Sequence, residues 1–131
     1  MSDYYEKFFI EKPEATGTRV AAPFDKNKRR TVPAYRTSDG RLLKWSAEFA
    51  LPEIGQRVYI NMNGIGWAKV KGYFEADGWL GVMTLAENPP EWLRKQNERD
   101  AKDERKPGWS KAGIGCEFGT EILLWKKERT A

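Results

Sequence analysis

Hydrophobic and polar positions alternate most regularly between residues 57 and 85. In Arg57-Val58-Tyr59-Ile60-Asn61-Met62, the apolar Val58, Ile60 and Met62 share one side, and Arg57, Tyr59 and Asn61 share the other. From Trp67 to Ala76 the pattern sets Ala68, Val70, Gly72, Phe74 and Ala76 against Trp67, Lys69, Lys71, Tyr73 and Glu75. Trp79 to Leu85 is a third β-rich run. A period of two over successive short runs predicts strands with one buried face. Asn63-Gly64 and Asp77-Gly78 separate the runs, and these dipeptides tolerate the positive φ that tight hairpins demand. Gly72 and Gly81 fall inside strands, where a missing side chain suits a strongly bent strand.

The flanking segments are less regular. Tyr4, Tyr5, Phe8 and Phe9 form an aromatic cluster, whose spacing fits a short helix and an extended arm equally. Thr18–Phe24 and Arg29–Arg36 read as a hairpin about a polar turn at 25–28, with Pro33 placing its strand at a sheet edge or a bulge. Arg41–Phe49 fits either a short helix or a strand, and Pro52 ends it. After Asn88 the period changes. Pro89-Pro90 suits a helix start, and Glu91–Lys106 is dense in helix formers. Only Trp92, Leu93 and Ala101 are apolar there, so the helix is expected to be solvated and anchored near its start. Ile114, Cys116 and Phe118 then alternate with Gly115, Glu117 and Gly119 in a closing strand, with Cys116 expected as a small buried residue. Thr120–Trp125 is a further β-prone run.

The predicted organisation is a single domain over 1–131. It comprises an N-terminal arm and hairpin (1–50), a barrel (51–88 and 112–125) and a helical insertion (89–111). The fold class is mainly β, a small barrel with one inserted helix at about 90–106. Gly55, Arg57, Val58, Ile60, Gly64, Gly66, Lys69 and Val70 resemble the KOW-type opening strands of SH3-like small β-barrels. The resemblance covers residues 51–85 and implies a binding module for nucleic acid or protein. The chain departs from the pattern by lacking a glycine where the second KOW strand normally begins, and by the inserted helix. The same Gly-x-Arg-Val opening resembles the plasmid-type dihydrofolate reductases, but the Val-Gln-Ile-Tyr run of that family has no counterpart here.

Composition narrows the chemistry. Six Trp, five Tyr and six Phe in 131 residues predict a packed core. No apolar run reaches membrane-spanning length, and Met1–Glu6 has no basic region ahead of an apolar stretch, so no signal peptide is expected. One cysteine, Cys116, permits no internal disulfide and suits a reducing, cytoplasmic setting. The absence of histidine removes imidazole acid–base catalysis and the common nucleophilic dyads and triads. No phosphate-binding loop or dinucleotide fingerprint is present. The expectation is a non-enzymatic protein without metal or cofactor.

Charge points to a partner. The net charge is +4, yet residues 18–44 hold eight bases against Asp25 and Asp39, a local +6. A localised positive field favours polyanions or acidic surfaces. The polar side of the central strands adds Arg57, Tyr59, Trp67, Lys69, Lys71 and Tyr73, an aromatic–basic mixture that suits stacked bases and phosphates. Lys26, Lys28, Arg29 and Arg30 at the hairpin tip would supply further phosphate contacts. These ten residues form the candidate nucleic-acid site. Burial of Tyr59, Trp67 and Tyr73 under residues 1–50 is the competing expectation. A protein partner, either a second copy of the chain or a partner enzyme that the chain would inhibit through the 91–106 helix and exposed tryptophans, is the alternative to nucleic acid.

Overall fold

The computed structural model describes residues 9–22 and 30–123. They form one open, mixed, mainly β sheet of eight strands with two helices. The strands are β1 (Phe9–Ile10), β2 (Glu14–Ala21), β3 (Thr31–Arg36), β4 (Leu42–Lys44), β5 (Arg57–Ile60), β6 (Gly66–Ala76), β7 (Trp79–Ala86) and β8 (Ile114–Phe118). Helix α1 (Glu91–Lys102) and the one-turn α2 (Gly108–Lys111) lie between β7 and β8, and a 3₁₀ turn (Gly119–Glu121) follows β8. Among the described residues no helix is long and apolar enough to cross a membrane.

The long β6 organises the sheet. Its first half pairs with β5 and its second half with β1, while its other edge runs the length of β7. β7 in turn pairs antiparallel with β8 and, at Trp79, parallel with Lys44 of β4. The β4–β3–β2 meander continues from there. The hairpin dipeptides behave as their sequence requires: Asn63 and Gly64 have φ of 49° and 77°, and Asp77 and Gly78 have 52° and 83°, the left-handed values of primed turns. β5 also meets the chain beyond the 3₁₀ turn. Ile60 bridges Ile122, the Asn61 N–H donates to the Glu121 carbonyl (2.7 Å), and the Leu123 N–H donates to the Tyr59 carbonyl (2.9 Å).

One irregularity changes the predicted faces. Val70 pairs with Thr84 but Gly72 pairs with Met83, so Lys71–Gly72 forms a β-bulge. The extra residue inverts the alternation beyond it. Tyr73 therefore turns inward beside Val70, and Phe74 turns to the opposite face, the reverse of the strict period-two pattern. Inside, Val58, Ile60, Ala68, Val70, Tyr73, Leu80 and Val82 pack with Ile122. Tyr35, Leu43, Trp45 and Leu51 from the N-terminal half join the same cluster. Trp45 is wholly buried, its indole N–H donating to the Phe49 carbonyl at 2.8 Å. On the other face Phe74 packs against Phe118, with ring centroids 5.3 Å apart. Phe9 meets Trp109 edge-on at 5.9 Å.

Other boundaries moved for identifiable reasons. β2 starts at Glu14, ahead of the predicted Thr18, and its register with β3 shifts between Ala15 and Arg19. Pro33 sits opposite Arg19 next to that shift, so the bulge alternative holds: β3 is paired on both sides and is no edge strand. The predicted 25–28 turn lies outside the described residues. Arg41–Phe49 yields only the short β4. Helix α1 stops at Lys102, four residues before the predicted end, because Asp103 takes an extended conformation and its carboxylate accepts the Arg105 N–H at 3.0 Å. No residue of α1 is fully buried. Leu93 packs on the core, and the 42 %-exposed Trp92 is tethered by its indole N–H to the Asn63 carbonyl. Cys116 lies on the Phe74 side, half-buried, and burial pushes its thiol up to about 12, which leaves it protonated and unreactive near neutral pH.

Candidate nucleic-acid interface

The β5–β6 hairpin brings part of the predicted site together. Register places Arg57 opposite Lys69 and Tyr59 opposite Trp67, so all four project from the outer face of the sheet. Tyr59 and Trp67 meet edge-to-face, with centroids 5.4 Å apart and planes at 86°. The Arg57 guanidinium lies over the Trp67 ring at 4.6 Å, a cation–π geometry. Across β6, Glu87 at the end of β7 takes both arms of that guanidinium, at 2.7 Å from Nε and 3.0 Å from Nη2. The shared hydrogen bonds raise the Arg57 pKa and lower that of Glu87. Lys69 also acts on Glu87 through its charge. Arg57, Lys69, Lys71, Leu85, Ala86 and Glu87 line one open groove beside the aromatic pair.

The remaining predicted residues distribute differently. Lys71 is exposed at the bulge and stays with the group. Tyr73 does not: it is 2 % exposed, and its hydroxyl donates to the Pro52 carbonyl at 2.7 Å. Desolvation raises its pKa. The bulge after Val70 explains the correction, since without it Tyr73 would stand beside Trp67's row. Arg30 is exposed at the start of β3, whereas Lys26, Lys28 and Arg29 lie outside the described residues. Tyr73 is buried because the bulge turns it to the inner face, a different cause from cover of the outer face by residues 1–50. Tyr59 and Trp67 are half-buried, each packed against the other.

Sequence reasoning missed Glu87. Its role follows from the β6–β7 register, in which Ala68 faces Ala86 and the Glu87 N–H donates to the Trp67 carbonyl at 2.9 Å. No local motif announces such a cross-strand partner. Among the described residues no group of three or more His, Cys, Asp or Glu side chains is placed to hold a metal. Comparison with protein-family models, curated proteins and solved structures finds no match, so the chemistry of these side chains carries the functional conclusion.

Proposed function

We propose that the protein is a non-enzymatic small-barrel module that binds single-stranded nucleic acid across the outer face of β5 and β6. The observation that carries this is the Tyr59–Trp67–Arg57 array flanked by Lys69 and Lys71. A base stacks on an aromatic face regardless of its identity, and adjacent lysines meet the phosphates. Arg57 is pre-positioned by Glu87, so little side-chain freedom is lost when a strand docks.

We propose further that the fold is an SH3-like small barrel. The order β5–β6–β7–β8, a 3₁₀ turn, and a return of Ile122 to β5 supports an SH3-like small barrel. The β2–β4 meander, the short β1 and the α1–α2 insertion are then additions to it.

Fluorescence anisotropy of labelled single-stranded and duplex oligonucleotides tests the proposal, with Trp67→Ala as the comparison. Stacking is worth about 1–3 kcal/mol per base, so the substitution should weaken single-strand binding by about tenfold. Equal affinity of wild type and variant would reject the face. Absence of binding to either oligonucleotide at low salt would reject the function.

A further inference from the structure

The inner face of the sheet carries a second chemical feature that the outer-face site does not use. Glu117 on β8 is 2 % exposed, an unusual position for a carboxyl group. Its Oε1 accepts a hydrogen bond from the Thr84 hydroxyl. Its Oε2 lies over Gly115, 2.9 Å from the point where a Cβ would stand, and receives no hydrogen bond from the described residues. Both residues line a cavity of about 280 Å³ between the sheet and the helical insertion.

The rest of the cavity wall is mixed. Ile65, Ala86 and Leu93 supply an apolar side, while Asn97 and Asp100 come from α1. The Asp100 carboxylate accepts the Ser110 hydroxyl at 3.0 Å and stands 3.9 Å from the Lys106 ammonium. Trp109, which also lines the cavity, holds the one buried side-chain nitrogen or oxygen among the described residues with no hydrogen-bond partner, its indole N–H. Two carboxyl groups thus face one lysine, within a volume suited to a small ligand.

We propose that this cavity binds a small organic cation, an amine or guanidine, whose N–H donors meet Glu117 Oε2 and whose aliphatic part lies against Ile65, Ala86 and Leu93. The sign of the ligand follows from the wall. An anion would face Glu117 and Asp100, with the already engaged Lys106 as the one cation in the lining and the Trp109 indole N–H as a further donor. A neutral apolar ligand would cover the second carboxyl oxygen without giving it a donor. A cation supplies both charge and donor. Desolvation holds the Glu117 pKa up to about 7, so near neutral pH part of the population is protonated. An arriving cation favours the carboxylate, and the displaced proton passes to the buffer. The site lies on the inner face, so the inference does not depend on nucleic-acid binding at the outer one.

Amide NMR of the whole chain, titrated with n-butylammonium and with methylguanidinium, reads the binding directly. The expected result is saturable shifts at Thr84, Gly115 and Glu117 with a dissociation constant of about 1 mM, the range reached by ligands of this size. Tetramethylammonium, which has no N–H donor, should bind at least about tenfold more weakly, one hydrogen bond to a charged group being worth that much. Calorimetry in two buffers of different ionisation enthalpy should show proton release near pH 7. Glu117→Gln, with its fold checked by circular dichroism, should lose both signals. Absence of saturable shifts in the wild type overturns the proposal, as does equal binding of tetramethylammonium. Undiminished binding by Glu117→Gln also overturns it. Proton release needs no variant, so its absence on saturation counts against the proposal even if Glu117→Gln does not fold.

Discussion

Arg57 lies 4.6 Å above the centre of the Trp67 ring while Glu87 holds its guanidinium with two hydrogen bonds. The arrangement fixes the one aromatic–cation surface of the β5–β6 hairpin, and it also offsets one of the positive charges there. Glu87 therefore both orders the face and weakens its field. Replacing it separates the two effects. Glu87→Gln keeps a hydrogen-bond acceptor for Arg57 and removes a negative charge near the phosphate path. At close range in water one charge pair is worth about 1 kcal/mol, so single-strand affinity at low salt should rise about fivefold. Anisotropy measurements check this, and an unchanged or lower affinity would mean that orientation outweighs charge.

Tyr73 gives a prediction of the opposite kind. Its hydroxyl is bonded to the Pro52 carbonyl inside the core, so Tyr73→Phe removes one hydrogen bond and leaves a buried carbonyl short of a donor. The expected cost is about 1 kcal/mol of unfolding free energy in urea denaturation. Nucleic-acid affinity should not change. A loss of affinity without a loss of stability would return Tyr73 to the outer face.

The Phe74 side of the sheet depends on Gly81. A Cβ at Gly81 would stand 2.2 Å from Phe74 Cε1 and 2.8 Å from the backbone oxygen of Glu117. The ring can move, but the paired β8 backbone cannot move without breaking its ladder. Gly81→Ala should destabilise by about 1–3 kcal/mol, the usual cost of overpacking. Adding Phe74→Ala should not restore stability, because the contact with Glu117 persists. Urea midpoints of the two variants decide it.

Much of this organisation was legible in the chain. Asn63-Gly64 and Asp77-Gly78 marked the hairpins because few other pairs accept their positive φ, and Val58, Ile60 and Val70 marked the inner face by simple alternation. Gly72 was recognisable as a place where β6 bends. What alternation alone did not convey is that the bend adds a residue, and that one extra residue exchanges the faces of Tyr73 and Phe74. The buried Glu117 was hidden for a related reason. A polar residue alternating with Cys116 and Phe118 reads as solvent-facing, and only the pairing of β8 with β7, under α1 and α2, turns it inward. Glu87 needed the β6–β7 register. Long-range pairing, not local propensity, determined what the sequence left unread.

Glu117 also predicts a pH dependence of stability. Its folded pKa of about 7 lies above the ordinary carboxyl value of an unfolded chain, near 4.3. Between those values the folded protein binds more protons at this site than the unfolded one. Stability from this group is therefore complete below the unfolded pKa and is lost as pH rises through the folded one. The loss from about pH 4 to pH 8 should be about 3 kcal/mol. Glu117→Gln should flatten that slope and be the more stable form at pH 8. Thermal or urea unfolding of both proteins across this range checks it, and parallel profiles would contradict a buried neutral carboxyl.

The salt dependence of single-strand binding tests the proposed function most directly. For single strands, the logarithm of the binding constant falls with the logarithm of salt concentration by about 0.7 for each phosphate neutralised. Anisotropy titrations from low to moderate salt should give a clear negative slope for the wild-type protein. The Lys69→Ala/Lys71→Ala variant should bind more weakly and lose about 1.4 from that slope, the share of two phosphate contacts. A slope that is the same in both proteins would show that nucleic acid binds elsewhere on the chain. Binding that is absent, or indifferent to salt, would contradict a nucleic-acid role for the β5–β6 face altogether.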